Sequence, residues 1–296
     1  MIYHIKMINH IVISAGGVNV FSQYGALKYL NDNSFWNIVN IKSFHATSAG
    51  AMISLMLMLK FDLNEITDYI VNRPWDKVYS VQPETIFKTF ENKGLFDIQS
   101  LITMFEPLFK SKDMSIDITL KELYELTNKD FFIYVSELNS FEPVIFNHKT
   151  HPNAKVIEVV YMSSALPPIF SPFLKDDKCY FDGGMFNYYP IHHLLSPELN
   201  IDTDTILGLY VNNINYENKN INIIDNSSNL FSYLSDIMNK LINNTIHQYD
   251  CKKIKYEVEI SNYNLYNIWK KIMYDKETRI ELIDLGINAA KKLIHQ

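Results

Sequence analysis

Two short segments, far apart in the chain, carry the side chains best suited to chemistry. His45-Ala46-Thr47-Ser48-Ala49-Gly50 places a serine between small residues, after a strand-like run (41–44) and before a helix-like run (49–59). A sharp strand-to-helix turn of this kind exposes a serine as a nucleophile. Far downstream, Phe181-Asp182-Gly183-Gly184 supplies a carboxylate that is a candidate base. The pair predicts acyl transfer.

A third segment precedes both and predicts the site of a developing negative charge. Residues 11–19 read Ile-Val-Ile-Ser-Ala-Gly-Gly-Val-Asn, a strand that enters a glycine-containing loop, and a helix is predicted over 21–30. Backbone N–H groups at Gly16, Gly17 and Val18 can converge there on an oxyanion. The N–H of Ala49, next to Ser48, is a possible further donor.

At these residues the chain resembles the patatin-like phospholipases, a family of serine acyl hydrolases that use a Ser-Asp dyad. Further segments resemble the family in the family's order: Lys93-Gly94-Leu95-Phe96-Asp97, residues 162–172 and residues 182–191. The resemblance extends over about residues 11–211. The richness in Asn, Ile, Lys and Tyr suggests an AT-rich genome, such as that of a large DNA virus or an AT-rich microbe.

The resemblance implies a mechanism and a fold. Asp182 takes the proton of Ser48 directly and later activates the water that hydrolyses the acyl-enzyme, while Gly50, Gly183 and Gly184 support the two motifs. Neither a metal nor a cofactor is implied. The family fold is an α/β three-layer sandwich. The β-α-β-α opening of the chain independently favours a mainly parallel central sheet covered by helices, with the site at the carboxyl ends of its strands.

Four residues depart from the family pattern. Ala15 and Ala46 replace glycines and add one methyl group each, which is tolerated where φ stays negative. Val20 replaces a glycine and stiffens the loop. Asn19 replaces the usual Arg or Lys and removes a positive charge beside the oxyanion loop, which predicts lower activity or altered recognition of an anionic head group.

Histidines offer a rival mechanism. His192 and His193 follow Asp182 and would give the chain order Ser, Asp, His of a catalytic triad. The short spacing from Asp182, and the position of Ser48 after only two strands, favour the dyad. His45 ends a strand and is expected to pack or to satisfy a local hydrogen bond.

Composition excludes several classes of function. The chain has 296 residues with a formal net charge of −6, which argues against a nucleic-acid binder. No apolar run reaches the length of a transmembrane helix, and the first residues do not form a secretion signal. We therefore expect an intracellular protein, cytoplasmic or peripheral at membranes. Cys179 and Cys251 are expected to be reduced thiols, and a local basic patch at 252–255 is expected to be a solvated face.

The remaining pattern predicts one domain over 1–296, with a core at about 11–211 and a C-terminal helical part at about 228–296. Helix-period segments at 63–71, 83–91 and 98–109 predict a covering layer. Further predictions are a strand pair (130–137 and 142–146), a helix at about 153–164, a surface loop (212–228) and helices at 230–243 and 279–294. The apolar stripe of Met104, Phe105, Leu108 and Phe109 is expected to be core rather than a lipid contact.

The leading hypothesis is a lipid acyl hydrolase of the phospholipase A type that acts on phospholipid or another acyl lipid through peripheral membrane contact. One alternative is a weakly catalytic or non-catalytic lipid-binding protein on the same fold. Another is a soluble carboxylesterase or transacylase, which would differ in whether activity rises when the substrate forms micelles or vesicles.

Overall fold

A mixed β-sheet forms the centre of the molecule. The computed structural model describes residues 7–81, 83–212, 224–226, 228–248, 254–261 and 265–294. Within these ranges the sheet has eight strands. They are β1 (His10–Ile13), β2 (Ser43–Thr47), β3 (Asp130–Glu137), β4 (Glu142–Phe146), β5 (Phe173–Lys175), β6 (Lys178–Asp182), β7 (Ile206–Asn212) and β8 (Tyr256–Ser261).

Helices cover this sheet. In chain order they are α1 (Val20–Asp32), α2 (Ala49–Met58), α3 (Leu63–Asn72), α4 (Trp75–Val78), α5 (Pro83–Asn92), α6 (Ile98–Ser111), α7 (Leu120–Thr127), α8 (Val156–Ser164), α9 (Ile191–Leu194), α10 (Leu230–Gln248), α11 (Leu265–Tyr274) and α12 (Lys276–Ile294). Short 3-10 turns lie at Gly17–Asn19, Ile38–Asn40, Gly183–Met185 and Thr203–Thr205. None of the helices in the described ranges is long and apolar enough to cross a membrane.

The strand order is β5-β6-β3-β2-β1-β7-β8, and β4 pairs with β3. Strands β3, β2, β1, β7 and β8 are neighbours in that order and run parallel to one another. Strands β4, β5 and β6 are antiparallel to their partners. Strand β2 is buried along its whole length, as expected for a parallel strand covered on both faces. The prediction of a mainly parallel α/β sandwich covered by helices is confirmed.

The register of β3 brings two distant segments together. Tyr134 pairs with Thr47 of β2, and the next residue, Val135, pairs with Asp182 of β6. Strand β4 pairs with these same β3 residues on the opposite edge, so β2 and β6 follow one another along a single edge of β3. The carboxyl end of β2 therefore meets the carboxyl end of β6.

The C-terminal part departs from the prediction of a helical segment, because it also contains β8. This strand extends the sheet by pairing in parallel with β7. Its burial alternates: Tyr256, Val258 and Ile260 face inward, and the residues between them are more exposed. Such alternation is the signature of a strand with one buried face. The helix predicted at 279–294 is present as α12, which starts slightly earlier.

Several predictions fall partly or wholly outside the described residues, namely most of the surface loop at 212–228, Cys251 and the lysines at 252 and 253. Of the two cysteines, Cys179 is a buried free thiol. In the helical layer, Phe105 and Phe109 are fully buried and Leu108 nearly so. The prediction that they belong to the core is confirmed.

Candidate active site

Ser48 lies in a strained turn between β2 and α2. Its φ of 54° and ψ of −121° are unusual for a residue with a side chain, and such strain is held only where the surroundings fix it. The Ser48 N–H donates to Ser163 Oγ at 2.8 Å, and Ser163 Oγ donates to the carbonyl of Tyr134 at 2.6 Å. Helix α8 and strand β3 thus hold the turn in place.

The Asp182 carboxylate directly accepts a hydrogen bond from the Ser48 hydroxyl. The distance from Ser48 Oγ to Asp182 Oδ2 is 2.6 Å, with no imidazole between them. The other oxygen, Oδ1, accepts the N–H of Gly184 at 2.7 Å. Both side chains are buried. Burial raises the pKa of the Asp182 carboxyl to about 6, and the hydrogen bonds from Ser48 and Gly184 oppose that rise.

Glycine is required directly after Asp182 because the chain passes close to β3. A Cβ at Gly183 would lie 2.0 Å from the carbonyl oxygen of Tyr134, which is backbone and has little room to move. Any side chain there would push the Asp182 turn away from Ser48. Gly50 follows Ser48 by two residues, in the first turn of α2.

The glycine loop after β1 lies beside Ser48. Gly17 has a φ of 52°, the left-handed region that glycine adopts without strain. Asn19 closes the loop through two hydrogen bonds to the Gly16 carbonyl, from its backbone N at 2.9 Å and from its side-chain Nδ2 at 2.8 Å. The Asn19 side chain, which stands where the family usually has Arg or Lys, is buried and braces the loop. Neither Ala15 nor Ala46 is among the described residues with positive φ.

A cavity of about 160 Å³ opens above Ser48 and Asp182. Gly16, Gly17, Val18 and Ala49 line it too, so the structure brings the predicted oxyanion donors and the Ser-Asp pair to one place. The rest of the lining is mostly apolar and includes Met52, Met56, Ile70, Met104, Trp269 and Met273. Met104 therefore differs from the other residues of its stripe, because it reaches this cavity.

The three histidines of the rival mechanism do not line the cavity that holds Ser48 and Asp182. His45 and His193 both hydrogen-bond to the hydroxyl of Tyr134, at 3.0 and 2.8 Å, and His45 stacks on Phe132. Burial holds the pKa of His45 well below its usual range. His192 is exposed. The expectation that His45 packs and satisfies a local hydrogen bond matches this arrangement.

Sequence reasoning missed several residues of the site. Ser163 is one, since a serine in an apolar helix gives no signal of its partner. Gln23 is another: it is fully buried, its Nε2 donates to the carbonyl of Ser14 at 2.9 Å, and its amide packs under Gly16. The cavity residues of α10 and α11 were missed because no local pattern distinguishes a cavity wall from core. In the described ranges no cluster of His, Cys, Asp or Glu could hold a metal ion.

The chain is similar to known proteins in sequence and in fold. It is 26% identical over 232 residues to a probable lipid hydrolase of Invertebrate iridescent virus 6, covering 74% of this chain and 78% of the relative. It is 25% identical over 304 residues to an uncharacterized protein of Acanthamoeba polyphaga mimivirus, covering 98% and 94%. Both relatives come from viruses.

Two solved structures share the fold. VipD from Legionella pneumophila matches 97% of this chain and 67% of its own, with a TM-score of 0.55 at 14% identity. The type III effector protein ExoU of Pseudomonas aeruginosa matches 98% of this chain and 53% of its own, with a TM-score of 0.51 at 13% identity. This chain thus spans about two thirds and about half of those two chains.

The family model of the patatin-like phospholipases matches residues 11–195, which include the glycine loop, Ser48 and Asp182. The match covers more than half of the chain. The protein therefore belongs to the patatin-like phospholipase family of lipid hydrolases.

Proposed function

We propose that this protein hydrolyses acyl esters of lipids, as a phospholipase of the A type, through an acyl-enzyme on Ser48 with Asp182 as the general base. The observation that carries the proposal is the 2.6 Å hydrogen bond from Ser48 Oγ to Asp182 Oδ2 at the base of an apolar cavity. A serine hydroxyl needs such an adjacent base to become a nucleophile.

The reaction proceeds in two displacements. Ser48 Oγ attacks the ester carbonyl while its proton passes to Asp182, and the tetrahedral intermediate collapses as Asp182 returns that proton to the departing alcohol. Water then attacks the acyl-enzyme, and Asp182 accepts its proton. Collapse releases the fatty acid, and the proton returns to Ser48 Oγ. Each displacement ends with the carboxylate ionised and ready for the next.

Backbone N–H groups of the glycine loop bind the oxyanion in both steps. Gly16, Gly17 and Val18 line the cavity beside Ser48, and Ala49 begins helix α2 there. The N–H of Ser48 itself already donates to Ser163. The donors to the intermediate are therefore the loop and Ala49, and losing one such donor typically costs about 10²-fold in rate.

The cavity suits an acyl chain. Met52 and Met56 follow Ala49 along one face of α2. Because an α-helix rises about 1.5 Å per residue, Met56 lies about 12 Å along the helix axis from Ser48. Met104 and Met273 add two more thioether side chains, which adapt to a flexible apolar ligand. An acyl chain lying along α2 would place its ester at Ser48. The substrate is thus proposed to be phospholipid or another acyl lipid, reached by peripheral contact with a membrane.

The raised pKa of Asp182 predicts the pH dependence of the reaction. The base must be ionised in the free enzyme, so kcat/KM for a neutral ester should rise with pH up to about 6 and level off above it. An ordinary aspartate, with a pKa near 4, would give a flat profile from pH 5 upward. Rates measured from pH 4 to 8 with a soluble short-chain ester distinguish the two.

A fluorophosphonate probe tests the proposed nucleophile. Ser48 Oγ should form a bond to phosphorus as fluoride leaves and the serine proton passes to Asp182, and peptide mapping should find the adduct on Ser48. The neighbouring serine, Ser163, should remain unmodified because its hydroxyl is fully buried and hydrogen-bonded. An adduct elsewhere, or none, would argue against the proposal.

The competing function is a weakly catalytic lipid-binding protein, and the observation in its favour is that Asn19 stands where the family usually has Arg or Lys. We expect Asn19→Arg to give no gain in kcat, because Asn19 is buried and braces the loop through the Gly16 carbonyl. Asn19→Ala should lower kcat by up to about tenfold, the cost of one hydrogen bond. Hydrolysis of a soluble ester measures both. A rise of tenfold or more in Asn19→Arg would instead identify an attenuated enzyme.

A further inference from the structure

Helix α10 exposes an apolar face. Leu230, Tyr233, Leu234 and Leu241 recur at spacings of three, four and seven residues, which places them on one side of the helix. Leu230 is 58% exposed and Leu241 48%. These four residues, here called the α10 stripe, extend about 16 Å along the helix. A helix on the surface of a soluble domain normally turns its polar side outward.

The other side of α10 belongs to the active-site cavity. Asn239 and Ile242 line the cavity from this helix, and α10 also contacts the Gly183–Met185 turn that follows Asp182. One helix, about 10 Å across, therefore separates the α10 stripe from the cavity that holds Ser48 and Asp182. The family match ends at residue 195, so this wall is supplied by the chain beyond it.

Charge indicates what kind of surface the α10 stripe would meet. The only acidic and basic side chains of α10 among Asp, Glu, Lys and Arg are Asp236 and Lys240, and they pair with each other at 2.6 Å. The chain as a whole carries a formal charge of −6. Attraction to anionic lipids is therefore weak, and apolar burial is the available driving force.

We propose that the α10 stripe is the surface by which the protein rests on a phospholipid bilayer, with the active-site cavity directly behind it. The inference rests on the proposed lipid substrate, which resides in such a bilayer. A lipid leaving the bilayer at α10 would pass around a single helix to reach Ser48. Docking is expected on electrically neutral lipid, to be insensitive to salt, and to gain little from anionic lipid.

Flotation with phosphatidylcholine vesicles tests the proposal, using the full chain with Ser48→Ala so that the vesicles stay intact. Adding Leu230→Asp and Leu234→Asp should lower the partition coefficient at least about tenfold, as expected when two leucines lose burial. Both side chains are exposed, so their replacement should leave the fold intact. The matched control adds Val39→Asp and Leu126→Asp, two exposed residues just before β2 and β3, at the opposite end of the sheet. The control should bind like its parent.

Three results would overturn the proposal: equal binding by the α10 variant and its control, no vesicle binding by the parent, or a dimer that the α10 substitutions dissociate in sedimentation. A soluble short-chain ester separates this from the proposed function. With Ser48 intact, the α10 variant should hydrolyse that ester at the wild-type rate, which also shows that it is folded. If the wild type hydrolyses neither the soluble ester nor vesicle phospholipid, the proposed function fails, whether or not the protein binds vesicles.

Discussion

Ser48→Ala is expected to reduce kcat for ester hydrolysis by at least about 10⁴-fold, the scale seen when a serine nucleophile is removed. The methyl group of alanine cannot attack the carbonyl, so no acyl-enzyme can form. The residual rate would come only from the oxyanion loop and from substrate binding. Turnover of a soluble ester, normalised to protein concentration and corrected for spontaneous hydrolysis, measures the loss.

The matched control is Ser54→Ala, which removes a buried hydroxyl from helix α2, the helix that follows Ser48. Ser54 Oγ only donates to the carbonyl of Gly50, at 2.8 Å. Its loss should change kcat by less than about tenfold, in line with a single hydrogen bond. Activity in Ser48→Ala within tenfold of wild type would mean that another group is the nucleophile.

Asp182→Asn is expected to cost nearly as much, about 10³- to 10⁴-fold in kcat, because the amide cannot accept the proton of Ser48. Asparagine has the shape of aspartate, so the turn at Gly183 and Gly184 should persist. The remaining activity should also lose the rise with pH toward 6. Measurement of kcat from pH 4 to 8 reports both effects.

Thermal melting separates loss of the base from loss of the fold. The pKa of Asp182 is raised in the folded protein, so its ionisation opposes folding as pH rises from about 4 through about 6. Replacement by asparagine removes this penalty, and the variant should melt at an equal or higher temperature than wild type at pH 8. Asp176→Asn is the control: Asp176 has a φ of 52° in the turn between β5 and β6, which asparagine adopts readily.

The rival mechanism, a Ser-His-Asp triad, would instead require a histidine side chain hydrogen-bonded to the Ser48 hydroxyl.

Much of the fold follows from local signals. The strand-like run into β2, the small residues around Ser48 and the mostly apolar run of α2 predict a strand, a turn and a helix because each pattern is local. The glycine loop after β1 is likewise predicted by a pattern that is local in the sequence. Parallel strands place their carboxyl ends at one edge of the sheet, so the position of the site also follows.

The contact between Ser48 and Asp182 is different in kind. It depends on Tyr134 and Val135 pairing with β2 and β6 in turn along one edge of β3, a register that no local pattern encodes. Ser163 holds the Ser48 turn from another element and is equally invisible in the sequence. The resemblance to a family, rather than the residue pattern alone, was needed to join the two motifs.

The C-terminal part was the least predictable. Strand β8 does carry an alternating pattern that local reasoning can find, whereas α11 gives no sign that Trp269 and Met273 face the active-site cavity. Met104 shows the same limit within one stripe, since three of its neighbours are core and it alone reaches the cavity. Cavity walls and cores have the same composition, because both exclude water.

Fatty-acid release from mixed phospholipid vesicles, measured in EDTA for wild type, Ser48→Ala and Asp182→Asn side by side, tests the central claim most directly. A Ser-Asp acyl hydrolase predicts release by the wild type alone. Release by either variant at a rate near that of the wild type, or no release by any of the three, would contradict it.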